Sequence, residues 1–250
     1  MFSFANLFLA GVACGGINAI AGGGTLIGFP VLLGAGLPPT VANATNFIAT
    51  MPGYAAAIPS YLGELKQLSQ SAMTNTLWTV AGATLGSLLL VLSGDAVFVG
   101  LIPYLILTAT LLYAFSDRVN RLFSSEKVRL NAKGIRLSNL ILFIVCIYGG
   151  YFGAGLGIIL FSALKIVGYC DFHHANALKN LIITVASLVS IGIFIFGSLI
   201  AWPEAITMML GSALGGYVTA KKAKLMSQNY LHLFVTLFGF ASTIYYFVVV

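Results

Sequence analysis

Apolar residues run through this chain in long, nearly unbroken stretches, with polar residues confined to short gaps between them. The stretches cover about 2–21, 25–37, 40–62, 72–93, 96–115, 137–153, 156–168, 174–200, 203–220 and 229–250. A helix needs about 20 residues to cross the hydrocarbon of a bilayer, and most of these segments come close to that length. Two do not. Segments 25–37 and 156–168 have 13 residues each, and each follows a cluster of glycines. They read as the second arms of broken, re-entrant helices. Such backbone is tolerated at membrane depth only where protein or a water-filled cavity covers it.

The two short arms sit at corresponding places in a duplication. Residues 16–46, shifted by 133 positions without a gap, fall on residues 149–179. Gly16, Ala21, Gly22, Gly24, Ala42, Asn43 and Ala44 match Gly149, Ala154, Gly155, Gly157, Ala175, Asn176 and Ala177. Each half therefore carries a glycine-broken apolar segment, a turn and an Asn-bearing helix start. Interruptions at matching places in two halves point to the binding site of a secondary transporter. A second pair of motifs, G-A-T-L-G at 82–86 and G-S-A-L-G at 211–215, has the small-xxx-small spacing that lets two helices approach closely.

Composition settles the class. The chain is 59% hydrophobic and 7% charged, with a mean hydropathy of +1.00, against roughly 25% charged in an average soluble domain. Too few charges are present to cover a water-soluble surface, so the expectation is an all-α integral membrane protein. The net charge of +6 is informative through its location. Arg118, Arg121, Lys127, Arg129, Lys133 and Arg136 lie in the polar stretch 116–136, and Lys221, Lys222 and Lys224 follow a later span. By the positive-inside rule both loops, 116–136 and 221–229, are cytoplasmic, and neither is read as a nucleic-acid patch. Two single crossings, 174–200 and 203–220, lie between them with the broken segment, which must then start and end on one side. Each half makes an odd number of net crossings, and the second half is inverted relative to the first. The expected architecture is two inverted-topology repeats, each a re-entrant-like broken helix followed by three transmembrane helices. Residues 1–115 form the first repeat, 116–136 a basic cytoplasmic loop and 137–250 the second repeat. Both termini are extracytoplasmic, and the two hairpins enter from opposite faces. The N-terminal apolar stretch lacks a basic n-region and reads as a retained span. Cys14, Cys146 and Cys170 have no metal spacing and read as small apolar residues; no metal or other cofactor is implied.

A helix broken at mid-membrane exposes free backbone N–H groups and the positive end of its dipole, a ready site for an anion. Gly22, Gly23 and Gly24, with Thr25 beside them, and Gly155 and Gly157 would let the backbone turn and approach a ligand. Two such ends facing each other could cradle one oxyanion; equally, the glycines could serve close packing alone. Asn43, Asn46 and Thr50 fall on one face of a helix, and Asn176, Asn180 and Thr184 nearly repeat the spacing. Their amides and hydroxyls can donate to an oxyanion, or cap helix starts and join helices. Lys179 lies five residues inside a span. An ionisable group there is a functional candidate, with snorkelling to the surface as the alternative. Lys165 is nearer a turn and is expected to snorkel; His173 and His174 are expected to be solvated in a cytoplasmic turn. No carboxylate lies deep in any span, so no proton relay is visible.

The glycine-rich broken first helix ending in G-L-P-P (36–39), the polar helix start after it, the same order in the second half, and G-S-A-L-G-G-Y-V-T-A-K-K at 211–222 resemble the sulfite exporter TauE/SafE family across nearly the whole chain. That resemblance implies a secondary transporter of the bacterial inner membrane, multi-pass, moving sulfite, a sulfonate, sulfoacetate or a related small anion by alternating access. Its partners are then the small anionic substrate and the lipid bilayer, with homo-oligomerisation open. A channel-like facilitator of small anions is the nearest alternative, with a sensor or assembly subunit behind it. An intramembrane enzyme is disfavoured, because the spans hold no paired carboxylates, metal-spaced His or Cys, or Ser/His constellation.

Overall fold

Every element among the described residues is helical. The computed structural model describes residues 3–20, 22–67, 70–115, 132–169, 171–222 and 228–249. Ala21, Cys170, Lys224 and most of the expected basic loop 116–136 lie outside them. The first apolar stretch forms α1 (Phe4–Ile20), and its second arm is α2 (Thr25–Gly34). α3 (Pro39–Ala55) begins with Pro39 in its first turn, where the missing N–H has no intrahelical partner to lose. The sequence predicts this helix to run to residue 62, but it ends at Ala55. A 3₁₀ turn (Ile58–Tyr61) and the short α4 (Leu62–Lys66) follow. Pro52 removes one backbone donor from the last turns, and Pro59 disfavours helical backbone at Ile58 before it.

α5 (Gln70–Ala114) is written as one run of 45 residues, but Gly94 inside it has φ 66° and ψ 174°, far from helical values. Unbroken, it would be about 68 Å long, more than twice the bilayer core. The break divides it into arms 70–93 and 95–114, close to the expected spans. α6 (Ala132–Tyr151) and α7 (Leu156–Ile166) are the two arms of the second broken segment. α8 (Phe172–Phe196), α9 (Trp202–Lys222) and α10 (Gln228–Val249) complete the chain. Asp171 caps α8 by accepting the His174 N–H at 2.9 Å, and its Oδ1 lies 2.8 Å from His174 Nδ1. The backbone bond first, then the side-chain bond, holds the Asp171 carboxyl below the usual carboxylate range. This cap is therefore lost only as pH falls below that range.

The halves are built into each other. α1 packs most extensively against α9, and α5 against α6. Glycines make both seams possible. A Cβ at Gly11 or Gly15 would strike the backbone of Met208 or Ser212, and one at Gly211 or Gly215 the backbone of Phe8 or Val12. In the other seam, Gly82 and Gly86 lie on Phe143 and Ile147, and Gly150 lies on Ala83. The two G-xxx-G motifs thus each receive the first helix of the opposite half. Between the seams, α3 is buried on nearly all sides, as a central helix should be.

Polar contacts sort the connections into two ends. At one end Asp95 Oδ1, just past the Gly94 break, accepts the Thr40 N–H at 3.0 Å and the Thr40 hydroxyl at 2.7 Å, and the Ala201 N–H donates to Thr45 Oγ1 at 3.0 Å. At the other, His174 Nε2 lies 3.2 Å from Gln67 Oε1, Asn176 Nδ2 donates to the Tyr61 hydroxyl at 2.8 Å, and Asn75 Nδ2 to the Tyr169 hydroxyl at 3.2 Å. Large apolar side chains face outward along the long helices. Leu85, Leu88, Leu89 and Leu92 on α5, Leu140 and Ile144 on α6, and Ile206, Leu210 and Leu214 on α9 are all exposed. Water would penalise such a surface, whereas lipid is its natural solvent. Thr74–Leu112 and His173–Phe196 are long and apolar enough to cross a membrane.

Candidate functional site

The two helix breaks meet. Gly22 turns the first with φ +77°, and Gly153 and Gly155 turn the second with φ +72° and +71°. A Cβ on Gly22 would lie 2.8 Å from Gly157 Cα, and one on Gly157 would lie 2.6 Å from Gly22 Cα. These two glycines fill each other's space, so the expected ligand cradle does not lie between them. Their role at that contact is packing, and Gly24, whose Cβ would strike the Cys14 carbonyl, packs in the same way.

Side chains hold the breaks open on either side of this contact. In the first, Asn18 Oδ1 accepts the Gly24 N–H at 2.7 Å. The Tyr54 hydroxyl, 3.1 Å from Asn18 Oδ1 and 3.2 Å from the Gly22 carbonyl, shares its proton between them. Gly23 O accepts the Leu26 N–H at 3.1 Å, starting α2. In the second, the Tyr148 hydroxyl donates to Ala154 O at 2.8 Å. Thr25 joins the two: its hydroxyl accepts the Gly155 N–H at 3.1 Å and donates to Gly153 O at 3.3 Å. A residue at the start of α2 thus satisfies the backbone of the opposite half's break, where an unpaired buried group would be costly.

The predicted amides divide into three kinds. Asn43 Nδ2 donates to Tyr151 O at 2.9 Å and Asn46 Nδ2 to Thr25 O at 3.0 Å, so both brace helix ends at the breaks. The Asn46 carbonyl rests on Gly28, where any Cβ would displace it. Asn176 belongs to the end of the molecule, on the Tyr61 hydroxyl. Asn180 is buried with neither its Nδ2 nor its Oδ1 bonded.

A small cavity, with room for about one water-sized occupant, opens beside the joined breaks. Thr25, Asn46, Thr50, Tyr54, Gly153 and Ser187 give it polar groups, and Phe47, Phe152, Leu156 and Ile183 form apolar walls. The structure brings Thr25 and Asn46, both candidates from the sequence, to one cavity, and sets beside them Tyr54, Gly153 and Ser187, which were not among those candidates. Asn18 was missed as well, although a lone Asn inside an apolar stretch was a signal that could have found it. Lys179 and Asn180 lie on α8 one turn before Ile183 and two before Ser187, beyond the residues that line the cavity. Lys179 is 2% exposed, and no described residue bonds or pairs with its ammonium. Snorkelling does not describe it. Lys165, by contrast, is half-buried, with Nζ 4.8 Å over the Phe161 ring.

The family model for the sulfite exporter TauE/SafE matches residues 7–246. A probable membrane transporter protein of Haemophilus influenzae is 29% identical over 238 residues, covering 95% of this chain and 91% of the relative. The probable membrane transporter protein ORF9 of Sinorhizobium sp is 28% identical over 225 residues, 88% of this chain and 85% of its own. The probable membrane transporter protein YfcA of Escherichia coli K12 is 26% identical over 211 residues, 84% and 76%. No solved structure matches significantly.

Proposed function

The chain belongs to the sulfite exporter TauE/SafE family of membrane proteins, and on that premise we propose that it is a secondary transporter of a small anion, a sulfur oxyanion or organosulfonate, working by alternating access. It carries cargo and catalyses no reaction. The repeats are residues 1–115 and 137–250, inverted across the inner membrane, with 116–136 and 221–229 on the cytoplasmic side. The reciprocal seams of α1 with α9 and α5 with α6 support that symmetry. So does the grouping of connections at two ends. Inverted repeats meeting at broken helices are how many secondary transporters place cargo at the midplane.

One observation carries the anion reading: a lysine buried at 2% exposure, without a partner among the described residues, on a helix that helps to wall the cavity. A buried charge left alone costs several kcal/mol, and a negative ligand beside it would offset that cost. The starts of α2 and α7 add their dipoles at the same place. Uptake of sulfite into proteoliposomes tests the reading. Saturable uptake that responds to counter-ions is expected, with Lys179→Met reducing apparent affinity roughly 5- to 150-fold, on the order of 1–3 kcal/mol for one charge-assisted contact. Lys165→Met should behave as wild type. Non-saturating flux would mark a channel, and full activity in Lys179→Met would remove the lysine from the site.

A further inference from the structure

We propose, resting on the anion reading above, that the cargo is a monoanion carrying its own hydrogen-bond donor, bound between the Lys179 ammonium and the Asn180 amide. Charge sets the first half of this statement. Lys179 is the buried cation among the described residues, and no carboxylate is buried with it. A single negative charge leaves the loaded site neutral. A dianion would leave one uncompensated negative charge in a low-dielectric interior, where it is strongly disfavoured.

The amide sets the second half. Asn43 and Asn46 are each committed through Nδ2 to a backbone carbonyl. Asn180 is committed through neither atom, although both are buried. Positions matched at the 133-residue offset sharpen the contrast. Lys179 and Asn180 correspond to Asn46 and Phe47, which brace Thr25 and wall the cavity. The pair in the second half has no such structural bond among the described residues, so a ligand admitted beside it would supply the missing partners. Asn180 offers Nδ2 as a donor and Oδ1 as an acceptor. An oxyanion's oxygens satisfy the donor, but the acceptor needs an N–H or O–H on the cargo itself. A protonated oxyanion, or a sulfonate with an adjacent amine or hydroxyl, has that chemistry.

Three ions at one pH test this on the full-length protein in detergent by calorimetry. Sulfamate and methanesulfonate have nearly the same shape and one negative charge, but only sulfamate carries N–H donors; sulfate is a dianion. Wild type should bind sulfamate about tenfold more tightly than methanesulfonate, the effect of about one buried hydrogen bond, and sulfate most weakly. Asn180→Leu should bind the two monoanions equally, and Lys179→Met should lose affinity for both alike. The wild-type comparison stands without the variants. Methanesulfonate binding as tightly as sulfamate, or sulfate binding as tightly as either, would overturn this proposal and leave the anion reading in place. Binding of none of the three to wild type would overturn both.

Discussion

Thr25 shows how much a single hydroxyl does at a helix break. It pairs with the N–H of Gly155 and the carbonyl of Gly153, from a position 128 to 130 residues away in sequence. Thr25→Val keeps the shape and orphans both groups, so it should destabilise the protein by about 1–3 kcal/mol, while Thr25→Ser should keep most of the stability. Thermal unfolding in detergent reads this, and an unchanged midpoint in Thr25→Val would mean that the breaks do not need the bridge. Asn180 should behave in the opposite sense. Its amide is buried and unbonded, so Asn180→Leu replaces an unsatisfied group with an apolar one and should raise the unfolding midpoint while lowering transport. A lower midpoint would assign Asn180 a structural role. Spacing along a helix singled out Asn46 and Asn180, and Thr25 stood out only by its place beside the glycine cluster. Tyr54, Ser187 and Gly153 were not legible, because their roles depend on contacts between helices. The glycines were read correctly as breaks but not as partners: that Gly22 presses on Gly157 follows from three-dimensional approach, to which periodicity is blind.

At the scale of elements, short polar connections hold apolar helices in register. Asp95 follows the Gly94 break and caps α3 through two bonds to Thr40. Asp95→Ala should cost about 1–2 kcal/mol, in the range of a lost N-cap, and Asp95→Asn should cost less because its amide oxygen still accepts. The difference between the two midpoints measures the cap, and equal midpoints would show that it contributes nothing. Helix ends were legible where glycine or a polar gap marked them, as at 22–24, 94 and 152–155. The early end of α3 was not, because residues 55–62 remain largely apolar and hydropathy does not separate an α-helix from a 3₁₀ turn.

For the whole molecule, orientation is the property to measure. Single cysteines placed in 116–136 and 221–229 on a cysteine-free background should resist impermeant reagents from outside, while cysteines at the termini should react. External labelling of 116–136 would reverse the orientation and end the inverted-repeat proposal with it. The interlocked seams bear on how such a protein is made. α1 is synthesised well before α9, yet the surface that receives Gly11 and Gly15 is supplied by Met208 and Ser212 on α9. At about 5–20 residues per second, α1 waits on the order of ten to forty seconds in the bilayer before that surface emerges. During that interval its small-residue face is open to any other helix inserted nearby. A larger side chain in either seam would then act already during biosynthesis, by keeping the nascent chain from closing that seam.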